Sequence, residues 1–326
     1  NIASKHWVFR QYDHEVGIRT VIKPGFDGSV LRLDNGKFLS VKIDGNPKHC
    51  YVDPRQGAIG CFEEACRNVV CTGATPIGMV DHLQFGNPED PEIFWTFMES
   101  IEGITDFANS LNIPCVGGKV SFYNETSEGA IKPTPIIGVL GLVDKSPLLP
   151  IPPSKNDIIL LVGETKDELG GSEYYEYIHN FIGGTAPQVD ISQSKKNMKS
   201  MLSLISKKLV KITHDCSKGG LGIGIAELCI FGKTGCNVNL DSISSMTPEK
   251  ILFSESHSRY ILVIEKKNLK HVKNILSKNK CFFSEIGIFS SDQIIFETDS
   301  KPILKLRVDK AENNYHNSLE KIIQNG

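Results

Sequence analysis

Apolar and polar positions alternate through VLRLDNGKFLSVKID (30 to 44) on either side of an Asn35-Gly36 pair, which predicts two strands joined in a hairpin. The period then lengthens. In GAIGCFEEACRNVVCTG (57 to 73), Ile59, Phe62, Cys66 and Val69 or Val70 share one face and a glycine closes the segment, which predicts a helix. PIGMVDHL reads as a strand, EIFWTFMESIEGITDFANSL (92 to 111) as a long helix and PTPIIGVLGLVD (133 to 144) as a buried strand. Between them the apolar run Ile113-Pro114-Cys115-Val116 reads as a buried strand that gives way at GGKVSFYNET (117 to 126) to a loop. Its paired glycines permit either sign of φ and a close approach to the main chain.

Prolines crowd KSPLLPIPPSKND (145 to 157), continuing neither a helix nor a central strand, so two domains are expected, 1–150 and 151–326. Beyond the joint, strands are expected in DIILLVGET, LVKIT (209 to 213), RYILVIE (259 to 265), EIGIF (285 to 289) and QIIFET (293 to 298). Helices are expected near 190 to 207, 267 to 278 and 308 to 323. In HDCSKGGLGIGIAELCIFG (214 to 232), Leu221, Ile225 and Leu228 keep helical spacing despite four glycines in six residues. Each costs a helix about 1 kcal/mol relative to alanine, so the start of this helix is expected to need a close backbone approach. Both halves are mixed helix and strand, an α+β class overall.

Composition narrows the functional classes. With 36 basic and 38 acidic side chains the net charge is -2, which offers nucleic acid or an anionic membrane no attraction, so any anion must be bound locally. The nine cysteines are odd in number and never spaced C-x-x-C, which speaks against a disulfide framework or a zinc site and for a reducing, cytoplasmic setting. No apolar run reaches the length of a membrane span, and NIASKHWVFRQYDHE holds no apolar signal region. The chain opens on Asn1 and its first residues read as the middle of something longer, so a fragment or a processed product is expected.

Three groups of residues could carry chemistry. Asp44, at a strand end, joins Glu64 and Asn68, four apart on one helical face, as oxygen ligands suited to a hard cation such as Mg2+. The alternative is that Glu63, Glu64 and Arg67 merely solvate an exposed face. The second group is His214-Asp215-Cys216-Ser217-Lys218-Gly219-Gly220, between a strand and a helix, where a carboxylate, a hydroxyl and free amides suit a metal and a phosphate. Asp215 or Ser217 could instead be no more than a helix cap, and His214 is read as structural because no partner is visible beside it. In the third, Asp81 follows one apolar run and Gly117-Gly118 another, so both are expected at one sheet edge. None of these is a Walker A loop or a G-x-G-x-x-G turn.

Taken in order, YDHEV (12 to 16), KPGFDGSVLRL, DGNPKHCYVDPRQGA, EEACRNVVCTGATP, DHLQFGNPEDPEIFW, GGKVSFYNET, PTPIIGVLGLVD, HDCSKGGLG and LFSESHSRYILVIE resemble a known family. The chain is similar to the C-terminal half of the synthetase subunit of phosphoribosylformylglycinamidine synthases in their short, multi-subunit form. These belong to the ATP-binding superfamily of aminoimidazole ribonucleotide synthetase. The resemblance implies one two-domain unit: an N-terminal α/β domain that forms a barrel with a partner unit, then a C-terminal α+β domain. It implies a ligase that uses ATP and glutamine to amidate formylglycinamide ribonucleotide to formylglycinamidine ribonucleotide in purine biosynthesis. The formamide oxygen would be phosphorylated and then displaced by ammonia.

Carried over by position, the resemblance makes Asp81 and Gly118 ATP-binding residues and Ser121 a substrate-binding one, in a site completed by the missing first half. Lys119 stands where bacterial relatives have a metal-binding asparagine, so its ammonium would touch phosphate directly. Asp44, Glu64, Asn68 and Asp215 resemble Mg2+ ligands of an auxiliary ATP or ADP site in the long form, with Ile43 and Ser217 beside the nucleotide. The implied catalytic histidines lie in the first half, so His49, His82, His214 and His257 receive no catalytic role. Expected partners are that N-terminal half, a glutaminase subunit and a small bridging subunit, in a dimer or pseudo-dimer. The rivals are another enzyme of the superfamily, which FGNPED and VSFYNET argue against, and a half-molecule whose nucleotide is structural and which scaffolds its partner.

Overall fold

The computed structural model describes residues 2–325, so the outermost residue of each expected domain, Asn1 and Gly326, lies outside the described residues. The first half runs α1 (His6–Phe9), β1 (Thr20–Ile22), β2 (Ser29–Arg32), β3 (Phe38–Asp44), α2 (Pro47–Val52), α3 (Pro54–Cys71), β4 (Thr75–Gln84), α4 (Pro91–Leu111), β5 (Cys115–Ser121), β6 (Glu125–Thr126), β7 (Gly129–Ala130) and β8 (Thr134–Val143). The second runs β9 (Ile158–Val162), α5 (Glu173–His179), α6 (Ile191–Ser206), β10 (Ile212–Asp215), α7 (Gly220–Gly232), β11 (Cys236–Asn239), α8 (Pro248–Phe253), β12 (Tyr260–Ile264), α9 (Leu269–Lys278), β13 (Phe283–Phe289), β14 (Gln293–Thr298), β15 (Lys301–Arg307) and α10 (Val308–Asn325). The proline-rich stretch connects the last strand of one sheet to the first strand of the other.

The first sheet has the order β1-β2-β3-β8-β4-β5 and is antiparallel except at the β4/β5 edge. The second has the order β10-β12-β9-β13-β11-β14-β15, antiparallel except between β11 and β14. Strand β9 explains the layering. Ile158, Leu160 and Val162 join one apolar cluster with α3, while Ile159 and Leu161 join a second with Leu221, Ile225 and Leu228 of α7. A strand buried on both faces loses its polar alternation, and IILLV has none.

Helix α3 packs against β3, β8 and α4 on one side and against α6 and β10 of the second half on the other. Pro54 opens it at N1, and Asp53 caps it by accepting from the Gln56 amide at 2.9 Å. Every residue from Gly57 to Cys71 is buried, so the exposed-face reading of Glu63, Glu64 and Arg67 fails. Polar spacing alone cannot tell a helix that faces water from one that faces a second layer.

The stretch 117–121 is also not a loop. It continues edge strand β5, whose residues are almost all exposed. An edge strand with no second neighbour keeps polar and glycine residues that read as loop. The turn follows it, with Tyr123 at φ 59° and the Asn124 amide donating to the Phe85 and Ser121 carbonyls at 2.9 and 2.8 Å.

Candidate functional site

The buried polar face of α3 meets the end of β10. Arg67, fully buried, pairs with Glu63 one turn earlier and places Nη2 3.3 Å from Asp215 Oδ2. Asn68 Nδ2 donates to the Glu64 carbonyl at 2.8 Å and to Asp215 Oδ2 at 3.2 Å, while its Oδ1 is buried without a hydrogen-bond partner. Burial disfavours the Asp215 carboxylate, but Arg67, a hydrogen bond from Asp27 and the His214 charge together hold it well below the usual range. Asp215 is therefore an anion. The cap alternative fails for Asp215 and Ser217 alike, because the N-cap of α7 is Gly219 in the left-handed region and no side chain bonds there.

Asp44 closes the group from β3. Two ammonium groups face it, Lys218 Nζ at 3.8 Å and Lys42 Nζ at 3.9 Å, and Lys218 also donates to the Gly45 carbonyl at 2.8 Å. Burial and the nearby Asp44 push the Glu64 carboxyl well up, with Lys218 and Arg67 pulling the other way. The proposed ligand set thus divides when tested against Mg2+. Asp44 faces Lys218 and Lys42 and Asp215 faces Arg67, so both carboxylates already meet protein cations, while Asn68, with an orphaned buried oxygen, keeps an open acceptor suited to a hard cation.

His214 has the partners that sequence hides. Its Nδ1 lies 2.8 Å from Asp27 Oδ1 and its Nε2 3.1 Å from Glu227 Oε2, so both ring nitrogens point at carboxylates. Burial opposes the charge, yet Asp27 and Glu227 raise its pKa well above the ordinary value. The reading of His214 as an unpartnered structural residue is corrected accordingly. Asp27, His214 and Asp215 are the one set of three His, Cys, Asp or Glu side chains among the described residues whose ligand atoms lie within 4.8 Å of one another. With both imidazole nitrogens engaged, that set is an ion-pair network.

These groups floor a cavity of about 970 Å³ between the two halves. Its lining combines Lys42, Asn68, Asp215, Ser217 and Lys218 with the aromatic Phe9, Phe26 and Phe231, among further charged groups such as Lys23 and Glu227. Cationic and aromatic side chains in one cavity suit a ligand with a flat apolar part and an anionic tail. The glycines of α7 serve packing. A Cβ on Gly220 would sit 2.6 Å from the Leu252 and Ser254 carbonyls, and one on Gly224 2.7 Å from Ile261. The close approach expected at this helix is thus made by the protein's own backbone. The Gly219 amide is likewise spent on Glu255 Oε1 at 2.8 Å.

Asp81, Gly118, Lys119 and Ser121 lie elsewhere, on the exposed β4/β5 edge. The parallel register sets Asp81 against Gly118, His82 against Lys119 and Gln84 against Ser121. A Cβ on Gly118 would fall 2.5 Å from Asp81 Oδ1, so the carboxylate fills the space that only glycine leaves. Ile43 is 65% exposed on the opposite face of the sheet, beside Gly138 and Val80, and does not line the cavity. Sequence reasoning missed Asp27, Lys42 and Glu227. Lys42 was within reach, since strand parity sets it on the face opposite Ile43.

Comparison with known proteins completes the description. Residues 25–143 match the family "AIR synthase related protein, N-terminal domain" and residues 154–299 its "C-terminal domain". A curated relative from Thermococcus sibiricus, "Phosphoribosylformylglycinamidine synthase subunit PurL", is 41% identical over 99% of this chain and 45% of its own length. The chain therefore spans about half the length of the curated relatives it matches. Among solved structures, T. maritima PurL complexed with FGAR superposes with a TM-score of 0.77 at 20% identity, covering 90% of this chain and 49% of that one. T. maritima PurL complexed with ATP gives 0.71 at 21%, over 88% and 46%. At such identity the superpositions establish the fold.

Proposed function

The chain belongs to the AIR synthase related family, and from that membership we propose that it forms the C-terminal half of the synthetase subunit of a phosphoribosylformylglycinamidine synthase. The reaction is the ATP-dependent amidation of formylglycinamide ribonucleotide, with glutamine as the source of ammonia. The observation that carries the reading is the inner cavity, whose size and mixed cationic and aromatic lining fit a purine nucleotide.

In this reading ATP or ADP lies with its phosphates over Ser217, Lys218 and Lys42. Mg2+ accompanying them would be held by Asn68 and Asp215 and would neutralise phosphate charge. Ile43, from its place on the open face, serves the partner interface instead of the nucleotide. A second site, at the β4/β5 edge, brings Asp81, Gly118 and Lys119 to ATP and Ser121 to the ribonucleotide phosphate, and is completed by the N-terminal half. Exposed Ile43, Val80 and Val116 give that half an apolar face to cover. The glutaminase and a small bridging subunit are the further partners, in the cytoplasm; among the described residues no helix is long and apolar enough to cross a membrane.

The test mixes the purified chain with the remaining half and follows ADP release in the presence of formylglycinamide ribonucleotide and ammonia. The chain alone is expected to bind ADP without turnover. Near-complete activity from the chain alone, or none from the mixture together with no nucleotide binding, would overturn the reading.

A further inference from the structure

The carboxylates beneath the cavity come with their own counter-cations, supplied from three separate elements. Lys42 arises from β3, Arg67 from α3 and Lys218 from the turn before α7. Lys218 differs from the other two in how it is held. Its Nζ donates to the Gly45 carbonyl at 2.8 Å and stands 3.8 Å from Asp44 Oδ1, so it bridges a main-chain oxygen and a carboxylate oxygen, the donor types that a hard cation takes. Asp44 itself is pinned, its Oδ1 accepting from the Gly45 amide at 2.8 Å, with only 9% of its side chain exposed.

We propose that the Lys218 ammonium is a built-in cation at the position between Asp44 and the Gly45 carbonyl, so that this chain binds no divalent ion there. A lysine delivers one charge and three donors, keeps its place without nucleotide and cannot be removed by a chelator. Three acidic or amide side chains in a row of candidate ligands therefore do not imply three metal contacts. The ammonium lines the same cavity as Asn68 and Asp215, where it reaches an anionic ligand directly. Only this last role rests on the nucleotide reading above.

The test is a titration of the full chain with Mn2+ in the absence of nucleotide, reading free Mn2+ by electron paramagnetic resonance. The wild-type protein is expected to show no stoichiometric site that depends on Asp44. Lys218→Asp, which replaces the ammonium by a third carboxylate, is expected to gain one, with affinity at least about tenfold above the wild type. Adding Asp44→Asn to that variant should abolish it. A stoichiometric Mn2+ site in the wild type that Asp44→Asn removes would overturn the proposal, and this arm needs no altered Lys218 to fold. A folded Lys218→Asp protein that gains no Mn2+ site would do so as well. ADP affinity, measured separately by calorimetry, should fall about tenfold in Lys218→Met. Absence of ADP binding in every form would count against the nucleotide reading, while the Mn2+ titration would still decide the fate of the ammonium assignment.

Discussion

Glu63 and Glu64 are adjacent on α3, and the structure assigns them opposite energetic roles. Glu63 is fully buried, pairs with Arg67 and accepts from Ser194 Oγ at 2.9 Å and the Ser258 amide at 3.4 Å. Its removal leaves Arg67, also fully buried, with Asp215 at 3.3 Å and Glu64 at 3.9 Å. Glu63→Gln keeps the shape and the acceptor oxygen but deletes the charge opposite a buried guanidinium. Breaking one partner of a buried pair costs about 3 to 5 kcal/mol, and the remaining carboxylates set the expected loss at the lower end, about 3 kcal/mol. In urea, with an m-value near 3 kcal/mol/M, that moves the unfolding midpoint down by about 1 M, read by far-ultraviolet circular dichroism. Glu64→Gln should behave otherwise. Its carboxyl is raised well above the ordinary value by burial and Asp44, so glutamine copies the neutral form. Because the folded pKa is raised, wild-type Glu64 penalises the fold increasingly as pH climbs from about 4.3 towards the folded value, and the glutamine variant escapes that loss. Equal midpoint losses in the two variants, or a Glu63→Gln shift below about 0.3 M, would refute the pairing scheme.

The raised pKa of His214 gives a second pH signature: its stabilisation is complete below about 6.5 and is lost as pH rises through the folded value, so His214→Gln should flatten that alkaline decline in urea midpoints. Nitrogen-15 spectra of the wild type should show an imidazolium at neutral pH; a neutral ring there would remove the basis for the expectation. Gly57→Ala should cost about 3 kcal/mol by urea unfolding, since its Cβ would lie 2.4 Å from the Cys50 amide nitrogen and neither backbone can retreat. Gly36→Ala, with φ at +80° and nothing within 4 Å, should cost only the left-handed penalty of about 1 to 2 kcal/mol.

Much of the fold was readable because local period and punctuation agree with it. The hairpin around Asn35-Gly36, the long helix α4 and the buried strands β8, β9 and β12 all stand where alternation and apolar runs place them. Failures came where a residue's neighbours lie far away in the chain. Helix α3 looks half-solvated because Glu63, Glu64, Arg67 and Asn68 crowd its middle, yet Glu63 meets Ser194, His257 and Ser258, and Arg67 and Asn68 meet Asp215. His214 looks unpartnered because Asp27 lies 187 residues before it. Edge strand β5 looks like loop because it serves a surface that nothing in this chain covers.

Two groups of candidate residues, around Asp44 and around Asp81, are joined by one line of the first sheet. Asp44 on β3 pairs with Ile137 on β8, Ile137 with Asp81 on β4, and Asp81 with Gly118 on β5. Paired positions on neighbouring strands share a face, so these four stand on the side that carries α3. With strands about 4.8 Å apart, the line from Asp44 to Gly118 is about 14 Å long. Its inner end is sealed by α3 and by the β10–α7 turn, and Asp44, Asp215 and Arg67 there draw their partners from this chain. Its outer end is open, where β5 exposes both faces and its free edge. A ligand at the inner end can therefore be bound by the chain by itself. At the outer end Asp81 and Gly118 offer one wall only, and the apolar residues beside them, Val80 and Val116, gain from burial only when a second unit covers them. The same sheet thus ends in a buried, partnered charge cluster on one side and in an open, uncovered strand edge on the other.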